Sequence, residues 1–228
     1  MNRNIWFSLV FLLALTTGLP VAAQTPDTPA ATHVAQAPAQ AAVDSKALAP
    51  RKEGDDMVMG LATAPITIIE YASLTCPHCA TFHTTALPQI KEQYVDKGLV
   101  KFVFRDFPLD RAALWAAQLA RCAGPDRYFS FLDVLFRQQN VWARGNDAAQ
   151  IQDNLKRLSR LGGFSDALFQ ECLQDKSVEN AVLEQSLKGE REFKISSTPT
   201  IIINGNKHTG ATSFEEIEKV LKPLAGRN

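Results

Sequence analysis

Residues 65–79 read PITIIEYASLTCPHC. Positions 65–73 are rich in β-branched residues and almost continuously apolar, which predicts a strand buried on both faces. Beyond the strand, Phe82, Leu87, Ile90 and Tyr94 recur at helical spacing, so a helix is expected over 76–98, stopped by Gly98. Pro88 is expected to kink or break it, because proline lacks the N–H and crowds the preceding turn. Residues 100–107, VKFVFRDF, predict a second strand. Strand, helix and strand make a βαβ unit with a right-handed crossover.

The chain then changes character. Residues 109–193 hold no convincing strand and several helical stretches, among them 112–122, 128–138, 148–161 and 164–173, with breaks at Gly124-Pro125 and Gly162-Gly163. TIII at 200–203 is a strand again, Asn204-Gly205 is a hairpin turn, and 206–209 is the expected return strand. Ser213, with Glu216 three residues on, predicts a capping box opening a last helix to about Leu224. The order is βαβ, a helical block, then ββα.

The start of the chain reads differently. Arg3, an apolar run over 5–15 and small residues at 21–23 form the pattern of a secretory signal cut after Ala23. The apolar run is short of the roughly 20 residues that span a bilayer. Residues 24–56 are expected to be a disordered Ala/Pro-rich tether, and 57–228 a folded domain with a helical insertion at about 109–193. Lys plus Arg and Asp plus Glu are 24 each, so the net charge is zero. That balance argues against nucleic-acid binding and against a polybasic membrane surface. Four cysteines are too few to staple a miniprotein.

The chemistry is expected at Cys76-Pro77-His78-Cys79. Two cysteines three apart on the first turn of a helix can close a small disulfide ring. Cys76 lies where unpaired backbone N–H groups and the helix dipole favour an anion, so its thiol should ionise easily. His78 adds a positive charge or a hydrogen-bond donor. A stabilised thiolate is a good leaving group and leaves the disulfide oxidising. A zinc half-site using Cys79 and His83, one helical turn apart, is the competing reading, as is a purely structural disulfide. Glu70 lies inside an apolar strand, where an acid is costly; it reads as functional or as a carboxylate at a sheet edge. His83 and His208 read as packing or surface residues.

A CPHC after a strand, a helical insertion, and Thr198-Pro199 before TIII resemble the DsbA-type thiol:disulfide oxidoreductases of the thioredoxin superfamily, over about 57–224. The resemblance implies an α/β fold, a mixed four-stranded thioredoxin sheet with an inserted helical domain. It implies that Cys76 is the exposed nucleophile and Cys79 its buried partner. It makes Pro199 a cis-proline that receives the extended substrate peptide, Thr198 a residue that tunes reactivity, and Glu70 a buried acid relaying protons to the inner sulfur. Cys122 and Cys172 read either as unrelated small core residues or, in an oxidising compartment, as a pair; the resemblance implies a second, non-catalytic disulfide between them.

The activity so implied is oxidation of reduced substrate polypeptides in the periplasm by a monomer with no cofactor and no metal, reoxidised by a membrane DsbB-like partner. A disulfide isomerase or reductase of the same fold, and a zinc-binding or chaperone-like peptide binder, are the alternatives.

Overall fold

The structure, a computed structural model, describes residues 56–208, 210 and 212–226. The signal segment expected at 1–23 and the tether expected at 24–56, apart from Asp56, lie outside the described residues.

One mixed sheet carries the fold. Its strands are β1 (Met57–Met59), β2 (Ile66–Ala72), β3 (Val100–Asp106), β4 (Thr200–Ile203) and β5 (Asn206–His208), in the order β1-β3-β2-β4-β5. β2 is central, parallel to β3 and antiparallel to β4, while β1 and β5 add antiparallel edges. The sheet therefore has five strands where four were expected. The extra one is β1, whose three residues are too few to show a period; Met57 is buried and pairs with Phe104. The return strand stops at His208, and Thr209 lies outside the described residues.

Helix α1 (Pro77–Ile90) starts just after β2. Cys76 is its N-cap, with extended backbone, and Pro77 opens the first turn, where its missing N–H is no loss. The helix neither breaks nor ends at Pro88. It runs on as a π-helical turn, Lys91–Val95, in which Asp96 N–H bonds the Lys91 carbonyl at 2.8 Å. The proline costs one bond of the helical ladder, and the chain continues past it into the wider π turn rather than stopping. Gly98, at φ +73°, then takes the left-handed turn.

Between β3 and β4 lie α2 (Arg111–Cys122), α3 (Pro125–Arg137), α4 (Gln139–Trp142), α5 (Ala148–Leu161), α6 (Asp166–Gln174) and α7 (Lys176–Phe193). The eighteen-residue α7 is not evident from the sequence. Only Ala181, Val182, Gln185 and Gly189 of it are buried, a stripe too polar to register as a core face. A Cβ at Gly189 would lie 2.4 Å from Cε1 of Tyr71, so glycine lets α7 lie directly on β2. The helices are tied to the sheet by a buried knot. Arg121 of α2 donates to Asp106 at the end of β3 and to Gln185 Oε1 of α7, each at 2.8 Å, and the Asp106 N–H donates to that same oxygen. The final helix, α8 (Phe214–Ala225), opens on the Ser213/Glu216 capping box.

Candidate active site

Register brings the site together. β2 and β4 run antiparallel with Tyr71 opposite Thr200, so the loop after β2 and the segment before β4 meet at one end of the sheet. The first carries Cys76, and the second carries Thr198 and Pro199. Their peptide bond is cis, and Cys76 Sγ lies 3.3 Å from the Thr198 carbonyl oxygen, to which the thiol donates.

Both cysteines of the motif are free thiols. Cys76 is 5% exposed and Cys79 0%, whereas Pro77 and His78 between them are exposed. The expected exposure of Cys76 is therefore corrected: the loop is covered on two sides. Thr198 stands on one side, and Gln139 of α4 on the other donates to the Leu74 carbonyl at 2.8 Å and the Cys76 carbonyl at 3.0 Å. Thr75 Oγ1 donates to Asp110 Oδ2, the N-cap of α2, at 2.7 Å. From Thr75 a cleft of about 470 Å³ runs along Asp110, Arg111, Trp115, Asp147 and Ile151.

The two thiols are pushed in opposite directions. Cys76 is held down to about 5, first by the hydrogen bond from the Cys79 thiol, against the opposing effect of burial, then by Thr198 and the backbone N–H groups of Cys79 and His78. Those N–H groups are the unpaired donors of the first helical turn. The buried Thr198 Oγ1 has no hydrogen-bond partner beside the neutral thiol, and an ionised sulfur would give it one. Burial pushes Cys79 up, with the Cys76 hydrogen bond and the charge of Glu70 adding to it. One sulfur is thus prepared to be a thiolate and the other a thiol, which is the asymmetry an oxidising disulfide needs.

Glu70 sits on the central strand with no exposed surface, so the sheet-edge reading of it is excluded. Its Oε2 lies 2.7 Å from Nε2 of His83, which is 4% exposed; its Oε1 has no partner. The sequence marks His83 as a packing or surface residue and does not show its pairing with Glu70. The available signal was its spacing: four residues after Cys79, it shares that residue's helix face. Gln139 gave no signal, since nothing local distinguishes it. His208 is half-buried on the edge strand β5. No cluster of three or more His, Cys, Asp and Glu side chains suited to a metal ion occurs among the described residues.

The other two cysteines are joined. Cys122 of α2 and Cys172 of α6 form a disulfide with Cα atoms 6.2 Å apart, fully inside the helical block. Gln118 Nε2 donates to the Cys172 carbonyl beside it.

The chain is similar to known proteins. A family model described as thioredoxin matches residues 52–223. A Rickettsia bellii protein provisionally named as a protein-disulfide oxidoreductase is 32% identical over 152 residues, which is 66% of this chain and 58% of that protein. The match thus spans little more than half of that relative's length. Disulfide bond formation protein D of Bacillus subtilis is 27% identical over 178 residues, 75% of this chain and 78% of that protein. The crystal structure of Wolbachia pipientis alpha-DsbA1 aligns with a TM-score of 0.69 at 32% identity, covering 76% of this chain and 92% of that one. With the sheet, the cysteine pair at the helix start and these matches together, the chain belongs to the thioredoxin family and, within it, to the DsbA type.

Proposed function

We propose that the chain is an exported thiol:disulfide oxidoreductase that introduces disulfide bonds into reduced polypeptides at Cys76 and Cys79. A substrate thiolate attacks Cys76 of the Cys76–Cys79 disulfide, and Cys79 leaves. A second substrate thiolate then attacks the substrate sulfur of the mixed disulfide and expels the Cys76 thiolate. The substrate leaves with a disulfide and the protein leaves with two thiols. Thr198 and Pro199 receive the extended substrate chain beside Cys76, and His78 assists the thiolate from the exposed turn.

The observation that carries this reading is the opposed poise of the two sulfurs: Cys76 held down to about 5 at a helix N-terminus, Cys79 buried and pushed up. A reductase would need the opposite balance, with the thiolate form less favoured. The test is an equilibrium titration of the pair in glutathione buffers. A potential well above about −270 mV, the thioredoxin value, is the expected result; one at or below it would assign a reductase.

The rest of the reading concerns setting. The signal pattern at 1–23 supports export to the periplasm, with 24–56 as a tether and 57–228 as one folded unit carrying its helical insertion at about 109–193. Among the described residues no helix is long and apolar enough to cross a membrane. The protein works as a monomer, and a membrane DsbB-like reoxidase returns it to the disulfide state. N-terminal sequencing of the protein from the periplasmic fraction should start at Gln24; a chain retaining Met1 would remove the cleavage.

A further inference from the structure

We infer that the cleft beside Thr75 is a substrate subsite for a basic side chain, Lys or Arg, that flanks the reacting cysteine of the polypeptide being oxidised. The inference rests on the reading of Cys76 and Cys79 as a pair that oxidises polypeptides, and it adds which polypeptides are preferred.

Position is the first support. The cleft of about 470 Å³ starts at Thr75, the residue before the sulfur that substrate attacks. It lies toward the helical block, away from Thr198 and Pro199. Its walls are the first turns of α2 and α5 and the loop 143–147 between α4 and α5. Both walls are bonded to the reactive loop. On the α2 side, Asp110 Oδ2 accepts from Thr75 Oγ1 at 2.7 Å. On the other side, α4 leads into the wall, and its first residue, Gln139, donates to the Leu74 and Cys76 carbonyls. A chain lying along the cleft therefore touches groups one hydrogen bond away from the loop that carries Cys76.

The wall made by the loop is already built. Asn154 Nδ2 of α5 donates to the Arg144 carbonyl at 2.7 Å, and the Asn146 N–H donates to Gln150 Oε1 at 2.8 Å. A Cβ at Gly145 would lie 2.9 Å from Cγ1 of Ile151, so glycine lets the loop lie against that side chain. A preformed wall gives up little freedom when a ligand arrives.

The lining chemistry selects the occupant. Asp110 and Asp147 are the N-caps of α2 and α5, accepting through Oδ1 from the N–H groups of Ala113 and Gln150, each at 2.8 Å. Capping occupies one lone pair of each carboxylate and would be served as well by a neutral Ser or Asn, so it does not account for the charge. Neither carboxylate is ion-paired with another described residue. Both are exposed, whereas Trp115 and Ile151, about one turn further along the same helices, are half-buried. The cleft is thus acidic at its rim and apolar deeper in. Arg111 is one cation on the lining against the two carboxylates. A Lys or Arg fits this order: its alkyl stem lies on Trp115 and Ile151, and its head takes the remaining carboxylate lone pairs. The indole adds a cation–π contact. An acidic side chain would meet two like charges for one opposite. A purely apolar one would dehydrate the carboxylates with no bond in return.

The test measures kcat/KM for oxidation of reduced two-cysteine peptides with blocked ends. They carry Lys, Gln or Glu at the residue before the reacting cysteine in one series and at the residue after it in another. Rates are corrected for each peptide's own thiolate fraction, because a neighbouring charge shifts it. In one series Lys should exceed Gln by about 3- to 30-fold, the combined size of one exposed ion pair and one exposed cation–π contact. Asp147→Asn keeps a capping oxygen and removes the charge, so the Lys/Gln ratio should fall at least by half. The ratio is internal to each protein, and a general loss of activity cancels from it. In the unaltered protein the ratio should also shrink as KCl rises from about 0.01 to 0.5 M. Equal rates for Lys and Gln in both series would overturn the subsite, as would a Lys/Gln ratio that survives Asp147→Asn or ignores salt. A preference for Glu would overturn it too and assign the cleft to acidic chains through Arg111. Failure of the wild-type protein to oxidise any of the peptides would instead overturn the oxidoreductase reading, and this inference with it.

Discussion

The protein holds two cysteine pairs in contrasting settings. Cys76 and Cys79 are three residues apart at the N-terminal turn of α1, beside the Thr198 carbonyl, and are thiols in this structure. Cys122 and Cys172 are 50 residues apart, joined, and buried between α2 and α6. Cys122 is the last residue of α2, so it faces the negative end of a helix dipole where Cys76 faces the positive end. Closing a loop of three residues constrains the unfolded chain little. Closing one of 50 constrains it much, by about 4 kcal/mol in the chain-entropy account. The same bond is therefore convertible in one place and permanent in the other. Neither helix position nor loop size alone would separate the pairs so cleanly.

The sharpest way to break this contrast is to remove one sulfur from each pair in turn. Cys76→Ser should abolish oxidation of a reduced two-cysteine peptide, to the uncatalysed background. The double change Cys122→Ala with Cys172→Ala should leave that oxidation standing while lowering stability by up to about 4 kcal/mol in urea unfolding. If the double variant lost its activity with its fold intact, the division of labour would fail. Gln139→Ala leaves two loop carbonyls without their donor and should cost about 1–3 kcal/mol, read in the same unfolding assay. Its activity loss should be partial, since the sulfurs themselves are untouched.

Smaller shifts sharpen the electrostatic half of the contrast. Cys79→Ala removes the largest cause of the low Cys76 value, so the midpoint of thiolate absorbance should move upward from about 5. An unchanged midpoint would assign the effect to the helix terminus alone. The same depressed value fixes a sign. Cys76 ionises more readily in the folded protein than in the unfolded one. The dithiol form should therefore become more stable as pH rises from about 5 toward the ordinary thiol range, and lose that gain as pH falls back through about 5. The joined pair does not titrate, so once Cys76 and Cys79 are alkylated this component should vanish from the pH dependence of urea midpoints.

Which parts of this were legible in the sequence follows from how local each signal is. The β2 strand, the CPHC turn and the Ser213/Glu216 box are each written in neighbouring residues, and each forms where those residues stand. The partnership of Glu70 with His83 is not local. It exists because α1 crosses β2 at a height that no spacing within either element states. The coverage of Cys76 is likewise tertiary, since Gln139 reaches it from 63 residues away. In α7 a glycine pressed on Tyr71 does the packing that a leucine would advertise in a sequence.

The two halves of the reactive centre lie 122 residues apart along the chain, and all four cysteines precede the second half. A chain emerging from its N-terminus therefore presents every sulfur before the segment carrying Thr198 and Pro199 has arrived. The helix turn at Cys76 is local and does not depend on β4. The packing of α2 against α6, which sets Cys122 opposite Cys172, draws on no residue of that later segment. The order of residues along the polypeptide thus supplies both cysteine pairs before the segment that completes the site around Cys76.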